Sequence, residues 1–195
     1  MNIMQVGFNQ VKIINKLFLL ILALLYPFIF LMKFFNLESI SKYSIPVLIL
    51  LIFFNSITRA DKSGNRKALI SLALFFAFVG DCLINLTTVP QFCVIFFSLT
   101  HVCLSYYYFK LKPLDILDWL KLIPVLIICS VFFFFVSGFI SREIIKLVLA
   151  GYLSVLTLMV WRALCLFPAK NEKLKVKRIL MGSVLFYITD LVVCL

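Results

Sequence analysis

Apolar residues occur in seven long runs, which are separated by short segments of charged and turn-forming residues. None of the runs alternates as a barrel strand does, and most approach the roughly 20 apolar residues of a membrane-spanning helix. The pattern predicts an all-α, polytopic bundle of seven transmembrane helices, which form a single domain over residues 1–195. The predicted spans are about 17–35, 43–57, 68–86, 91–109, 122–140, 144–167 and 179–195.

Composition and charge agree with a membrane protein. Hydrophobic residues make up 64% of the chain, whereas soluble domains contain roughly 45–50%. The net charge of +11 is expected to face an anionic membrane surface rather than nucleic acid, because Lys and Arg lie mainly in short loops. With seven spans, 15 of the 19 Lys and Arg residues share the side of the N-terminus. This bias predicts a cytoplasmic N-terminus and an integral protein of the plasma (cell inner) membrane.

Two carboxylates and one imidazole lie inside the predicted spans. Asp81 and Asp190 are the only two of the eight acidic residues there, and His101 is the only His of the chain. A charged Asp at mid-bilayer costs about 2.5–3.5 kcal/mol, so it is rarely found without a role. At about 1.5 Å per residue, Asp81 and Asp190 lie roughly 20 and 17 Å from the cytoplasmic side, and His101 roughly 15 Å from the other. These depths allow one shared pocket.

Each of these three residues lies on a narrow polar face of an otherwise apolar helix. Residues three or four positions apart share such a face, and lipid cannot satisfy it, so the faces are expected to turn inward to a cavity. The neighbours on these faces are candidate substrate-binding residues. They are Asn85, Ser98, Ser105 and Ser183.

Metal and cofactor chemistry is not predicted. The six cysteines lie within or at the edges of apolar runs, without a Cys-x-x-Cys pair, and are expected to be packing residues rather than metal ligands or disulfides. Arg162, near the end of a predicted span, is expected to extend its charge to the membrane surface.

Two buried carboxylates allow two kinds of function. Burial and a neighbouring carboxylate both disfavour the charged form, so one of the pair would keep its proton while the other ionises. This is the division into acid and base that hydrolytic carboxylate pairs use. A proton-coupled transporter would use the same groups as a relay, and the residues alone leave both functions open.

The two Asp segments resemble signatures of a known family. Gly80-Asp81-Cys82-Leu83 is similar to the Gly-Asp signature of the lysoplasmalogenase family, also called YhhN-like membrane proteins. The segment from Gly182 to Asp190 resembles the family's Gly-Ala-x-x-Phe-x-x-Ser-Asp signature, with Thr189 in place of Ser. The resemblance extends over the third to the seventh predicted span, with one signature in the third span and the other in the seventh.

The helices between them resemble the family as well. Phe97 and His101 are similar to its His element, although Leu104 stands where the family has Tyr. Tyr152, with Met159 and Ala163, resembles its sixth helix. The resemblance adds Tyr152 to the candidate substrate-binding residues.

The resemblance implies an integral membrane hydrolase of about eight helices, although this chain ends at Leu195 with seven predicted. Characterised members cleave the vinyl ether bond of lysoplasmalogens, releasing a fatty aldehyde and a glycerophospho-headgroup, with a lipid substrate drawn from the bilayer. The implied catalytic residues are Asp81 and Asp190, with His101 in support and without a cofactor. A proton-coupled small-molecule or lipid transporter is the alternative. An intramembrane aspartyl protease is disfavoured, because Phe78 stands where its Gly-x-Gly-Asp motif requires Gly.

Overall fold

The computed structural model describes residues 38–58, 64–86, 92–167 and 173–193, and all regular structure in these ranges is helical. The predicted all-α class is confirmed for this part of the chain. The elements are α1 (Glu38–Thr58), α2 (Gly64–Leu86), α3 (Cys93–Leu111), a 3₁₀ helix (Ile116–Lys121), α4 (Leu122–Ser137), α5 (Glu143–Cys165) and α6 (Lys173–Val193).

Four helical segments are long and apolar enough to cross a membrane. They match the predicted spans that begin at residues 68, 91, 122 and 144. With them, the chain is an integral membrane protein. The segments are Ala68–Leu86, Cys93–Leu111, Ile116–Ser137 and Glu143–Cys165.

The other three predicted spans are not confirmed. The span at 17–35 lies outside the described residues. The span at 43–57 lies in α1, whose apolar part, Pro46–Ile57, is shorter than a full crossing. The span at 179–195 overlaps α6, which begins six residues earlier, at Lys173, because its helix extends back into the basic segment.

Helix α5 is the centre of the described bundle. It packs against α3, α4 and α6, and the 3₁₀ helix covers its C-terminal half, while α2 packs between α1 and α3. Leu156, Met159 and Ala163 of α5 are completely buried. The outer faces remain apolar, as Ile127 and Phe134 on α4 show, and an apolar outer surface is what lipid solvation requires.

One end of the bundle is held by a buried carboxylate. Asp118 of the 3₁₀ helix is 1% exposed. The Nζ atoms of Lys112 and Lys121 donate to its two oxygens at 2.8 and 2.9 Å, and Trp161 Nε1 donates to its backbone oxygen at 2.8 Å. These bonds tie α3 and the 3₁₀ helix to α5, and nothing in the pattern of spans had marked Asp118 for this position.

Arg162 is also buried, which corrects the expectation that it reaches the membrane surface. Its guanidinium lies over the ring of Phe109, 4.0 Å from the centroid, and its Nη2 donates to the backbone oxygen of Lys112 at 2.6 Å. The charge caps the C-terminal end of α3, where helix carbonyls lack intrahelical partners.

Replacing Asp118 with Ala is expected to lower the free energy of unfolding by about 2–3 kcal/mol, because two lysine charges lose their shared partner. Thermal unfolding of the purified protein in detergent measures the change. The matched control is Glu143→Gln, since the ion pair between Glu143 and Lys146 is exposed and is expected to contribute less than about 1 kcal/mol. Equal effects of the two substitutions would contradict this account of the network.

Candidate functional site

The site is centred on a direct bond between His101 of α3 and Asp190 of α6. His101 Nε2 lies 2.7 Å from Asp190 Oδ2, and the imidazole is completely buried. This distance is short for a nitrogen–oxygen hydrogen bond and is typical of a charge-assisted pair. The structure thus brings together two of the three residues that the sequence had assigned to one site.

Tyr152 of α5 completes the cluster. Its hydroxyl donates to the same Oδ2 of Asp190 at 2.8 Å and lies 3.4 Å from His101 Nε2. One carboxylate oxygen therefore joins three helices, α3, α5 and α6. Tyr152 had been expected to bind substrate, whereas here its hydroxyl holds the Asp190 carboxylate.

The walls around this cluster are apolar. The ring of Phe186 meets the imidazole of His101 edge-on, with centroids 5.8 Å apart, and Met159 Sδ lies 3.2 Å from His101 Nδ1. Few competing dipoles surround the bonds, so they are stronger than they would be in water. The side chain of Asp190 keeps 14% of its surface exposed, so a reactant can reach the carboxylate.

Asp81 of α2 faces the same region. Its carboxylate lies close enough to Asp190 to interact with it electrostatically and is half-buried. Among the described residues it accepts no hydrogen bond, whereas the Asp190 carboxylate accepts the hydroxyl of Tyr152. The two carboxylates that the sequence paired therefore interact electrostatically, and hydrogen bonds from described residues hold only that of Asp190.

Two of the candidate substrate-binding residues bond to their own helices. Ser105 Oγ donates to the backbone oxygen of His101 at 2.7 Å, and Asn85 Nδ2 donates to that of Asp81 at 2.9 Å. Short polar side chains in helices commonly bond to the carbonyl four residues earlier, and an apolar environment favours this. Neither side chain is hydrogen-bonded to the imidazole of His101 or to the carboxylate of Asp190.

The other two serines also lie away from the pair. The Ser183 hydroxyl is hydrogen-bonded to the hydroxyl of Tyr108 at 2.8 Å, both being buried, and this bond is a second link between α3 and α6. Ser98 is half-buried and joins no hydrogen bond among the described residues. Of the five candidates, only Tyr152 reaches the pair.

The position of Asp81 depends on the close approach of α2 to α3 at Gly80. A Cβ atom at Gly80 would lie 2.9 Å from the ring of Phe97. We expect Gly80→Ala to destabilise the protein by about 1–2 kcal/mol, because the overpacking cost of about 1–3 kcal/mol exceeds the gain in helix propensity of up to about 1 kcal/mol.

Gly182→Ala is the matched control, because nothing lies within 4 Å of a Cβ atom at this second helical glycine. It should stabilise the protein by about 0.5–1 kcal/mol. Thermal unfolding in detergent compares the two variants, and a stabilising Gly80→Ala would show that the helices are not in contact there.

Within the described ranges, no group of three or more His, Cys, Asp or Glu side chains could hold a metal ion. The five cysteines in these ranges are unpaired thiols, and Cys194 lies outside them.

Sequence reasoning assigned Met159 no role, although it contacts the imidazole. Met159 lies seven residues after Tyr152, which is two helical turns, and so lies on the same face of α5. The seven-residue spacing was therefore a signal in the sequence that Met159 and Tyr152 could contact the same group. The sequence did not show that this group is the imidazole of His101.

These features define an integral membrane protein with a hydrogen-bonded cluster of His, Asp and Tyr side chains and a second carboxylate that interacts with it electrostatically. Its family follows from the sequence comparison: the chain belongs to the YhhN family, whose family model matches residues 37–195. The resemblance to YhhN-like membrane proteins is thereby confirmed. No curated protein and no solved structure matches the chain significantly.

Proposed function

We propose that the chain is a membrane-embedded hydrolase of the vinyl ether bond of lysoplasmalogen-type lysophospholipids. The products would be a fatty aldehyde and a glycerophospho-headgroup. Membership of the YhhN family supports this class. The observation that carries the proposal is the 2.7 Å bond between His101 and Asp190, beside the second carboxylate, Asp81.

The reaction requires one acid and one base. A proton is added to the alkene carbon remote from the ether oxygen, which leaves an oxocarbenium ion. Water then bonds to the carbon that carries the oxygen and gives up a proton. The hydroxyl of the hemiacetal then loses its proton, the bond to the glycerol oxygen breaks as that oxygen takes a proton, and the aldehyde forms. One water is consumed, and no electrons are exchanged with a cofactor.

The carboxylates suit these steps. A protonated carboxyl group can donate to carbon, and an ionised one can stabilise the cation and accept the proton of water. Two carboxylates close together in an apolar site favour this division, because both cannot easily be charged. His101 and Tyr152 would hold the Asp190 carboxylate in position.

The surroundings suit a lipid substrate in the bilayer. The outer helix faces are apolar, so a single hydrocarbon chain can approach the site without crossing water. The basic segments would attract an anionic membrane surface. We further propose the plasma (cell inner) membrane with the N-terminus in the cytoplasm, which the excess of Lys and Arg on one side supports.

Aldehyde release by the purified protein tests the proposal. A lysoplasmalogen should yield aldehyde, whereas the analogue with a saturated alkyl ether should yield none, because it has no alkene carbon to protonate. A wild-type protein that is folded in detergent and releases no aldehyde from the vinyl ether would refute the proposal.

The alternative function is proton-coupled transport. Titratable groups that bond to one another inside a helical bundle, as His101 and Asp190 do, can also relay protons. Reconstituted vesicles separate the two functions. Movement of a lipid or small molecule that depends on a proton gradient, without any product, would favour the transporter.

A further inference from the structure

Met159 faces the buried nitrogen of His101 from helix α5. Its Sδ lies 3.2 Å from Nδ1 and is the only hydrogen-bond partner of that nitrogen among the described residues. Both side chains are completely buried, so bulk water does not reach the contact. A thioether sulfur has no proton to donate and can only accept.

This contact decides where the imidazole carries its proton. A bare Nδ1 would direct its lone pair at the lone pairs of sulfur and would be a buried acceptor without a donor, which is unfavourable. A protonated Nδ1 donates to the sulfur instead. The neutral imidazole of His101 is therefore the tautomer with the proton on Nδ1.

The other nitrogen then needs a second proton. Nε2 lies 2.7 Å from Oδ2 of Asp190, and a bare nitrogen that close to a bare carboxylate oxygen would be repelled. Tyr152 does not supply the proton, since its hydroxyl donates to Oδ2. A proton therefore lies between Nε2 and Oδ2, and the His101–Asp190 pair holds one proton more than a neutral His beside an ionised Asp.

We propose that Met159 is a positioning residue that fixes the Nδ1–H tautomer of His101 and so keeps a transferable proton on the His101–Asp190 pair. For the reaction, which rests on the proposed function, Asp190 is then the general acid. Asp81, which interacts electrostatically with Asp190, is then the carboxylate left to stabilise the cation and to accept the proton of water. The proton that Asp81 takes from water then passes to Asp190, and this transfer restores the starting protonation of both carboxylates.

The tautomer can be measured directly, because His101 is the only His in the chain. Selective ¹⁵N labelling of histidine gives one imidazole to follow by NMR in detergent. We expect Nδ1 of the wild type to carry a proton at neutral pH. In Met159→Leu, a substitution that nearly conserves volume, the proton should move to Nε2, and aldehyde release should fall about tenfold or more.

Two further variants make the test specific. Met181→Leu changes the same residue type on the exposed face of α6, where Met181 is 56% exposed, and should change neither the tautomer nor the rate. Met159→Gln restores an acceptor for Nδ1–H through its amide oxygen, and should recover the tautomer and most of the rate that Leu loses.

The inference is overturned if wild-type Nδ1 is bare, or if Met159→Leu leaves the tautomer or the rate unchanged. Its failure is distinguishable from that of the proposed function. A wild type that releases aldehyde with a bare Nδ1 refutes only the role of Met159. A protonated Nδ1 that responds to Met159→Leu, in a protein that never releases aldehyde, refutes only the hydrolysis.

Discussion

Replacing Asp190 with Asn is expected to lower aldehyde release by about 10²- to 10⁴-fold, the range for loss of a general acid. The amide is almost the same size as the carboxyl group and can still accept the hydroxyl of Tyr152. It cannot hold the transferable proton that we propose for the His101–Asp190 pair, whose atoms lie 2.7 Å apart. The loss should therefore lie in the chemical step, and initial rates at saturating lysoplasmalogen measure it.

Asp115→Asn is the matched control for Asp190→Asn. Asp115 is an exposed carboxylate that caps the 3₁₀ helix and lies outside the site, so its substitution should leave the rate unchanged. An Asp190→Asn protein that folds and retains most of the wild-type rate would exclude Asp190 as the acid.

Replacing Asp81 with Asn is expected to give a loss of comparable size, about 10²- to 10³-fold, for a different reason. The ionised carboxylate that balances the cation and accepts the proton of water is gone. Stability should change in the opposite direction from activity. Asp81 accepts no hydrogen bond among the described residues and lies close to Asp190, so removing its charge removes an uncompensated cost in the membrane interior.

Rates and thermal unfolding of Asp81→Asn should therefore be measured on the same preparation. The expected combination is a large loss of activity with an unchanged or higher Tm. Asn85→Ala, which removes only a bond to the backbone of Asp81, should keep most of the activity. A lower Tm with full activity would assign Asp81 a structural role instead.

The sequence could single out the residues of the candidate site because a titratable group inside an apolar run is costly wherever the helix packs. Asp81, Asp190 and His101 were proposed in this way, and their similar depths are what the constant rise of a helix predicts. The same reasoning predicted the helical class, since only helices or closed barrels satisfy the backbone in lipid.

The contacts between these residues could not be predicted, because helix rotation and tilt depend on packing against neighbours. The periodicity of a helix shows which residues share a face, but it does not show which side chains of neighbouring helices that face contacts. Ser105 and Ser183 share faces with the site, yet they bond to a backbone carbonyl and to Tyr108. The bond between His101 and Asp190 requires α3 and α6 to face each other across α5, which no local pattern encodes.

The buried charges at the end of the bundle were missed for a related reason. Asp118 lies in the charged segment between two predicted spans, and Arg162 lies near the end of a predicted span. Side chains at both places were expected to meet water or headgroups. The connector instead folds into a 3₁₀ helix against α5, and this covers both side chains. Counting residues along the chain predicts the depth of a side chain in the membrane only within a spanning helix, not within a connector that folds back onto the bundle.

The central claim is that Asp81 and Asp190 together carry out hydrolysis within the membrane, and product stoichiometry tests it most directly. Purified wild-type protein should convert a lysoplasmalogen into fatty aldehyde and glycerophospho-headgroup in equal amounts, and the folded Asp81→Asn/Asp190→Asn double variant should form neither. Continued release of both products by the double variant, or transfer of intact lysoplasmalogen across vesicles by a wild type that forms no aldehyde, would contradict it.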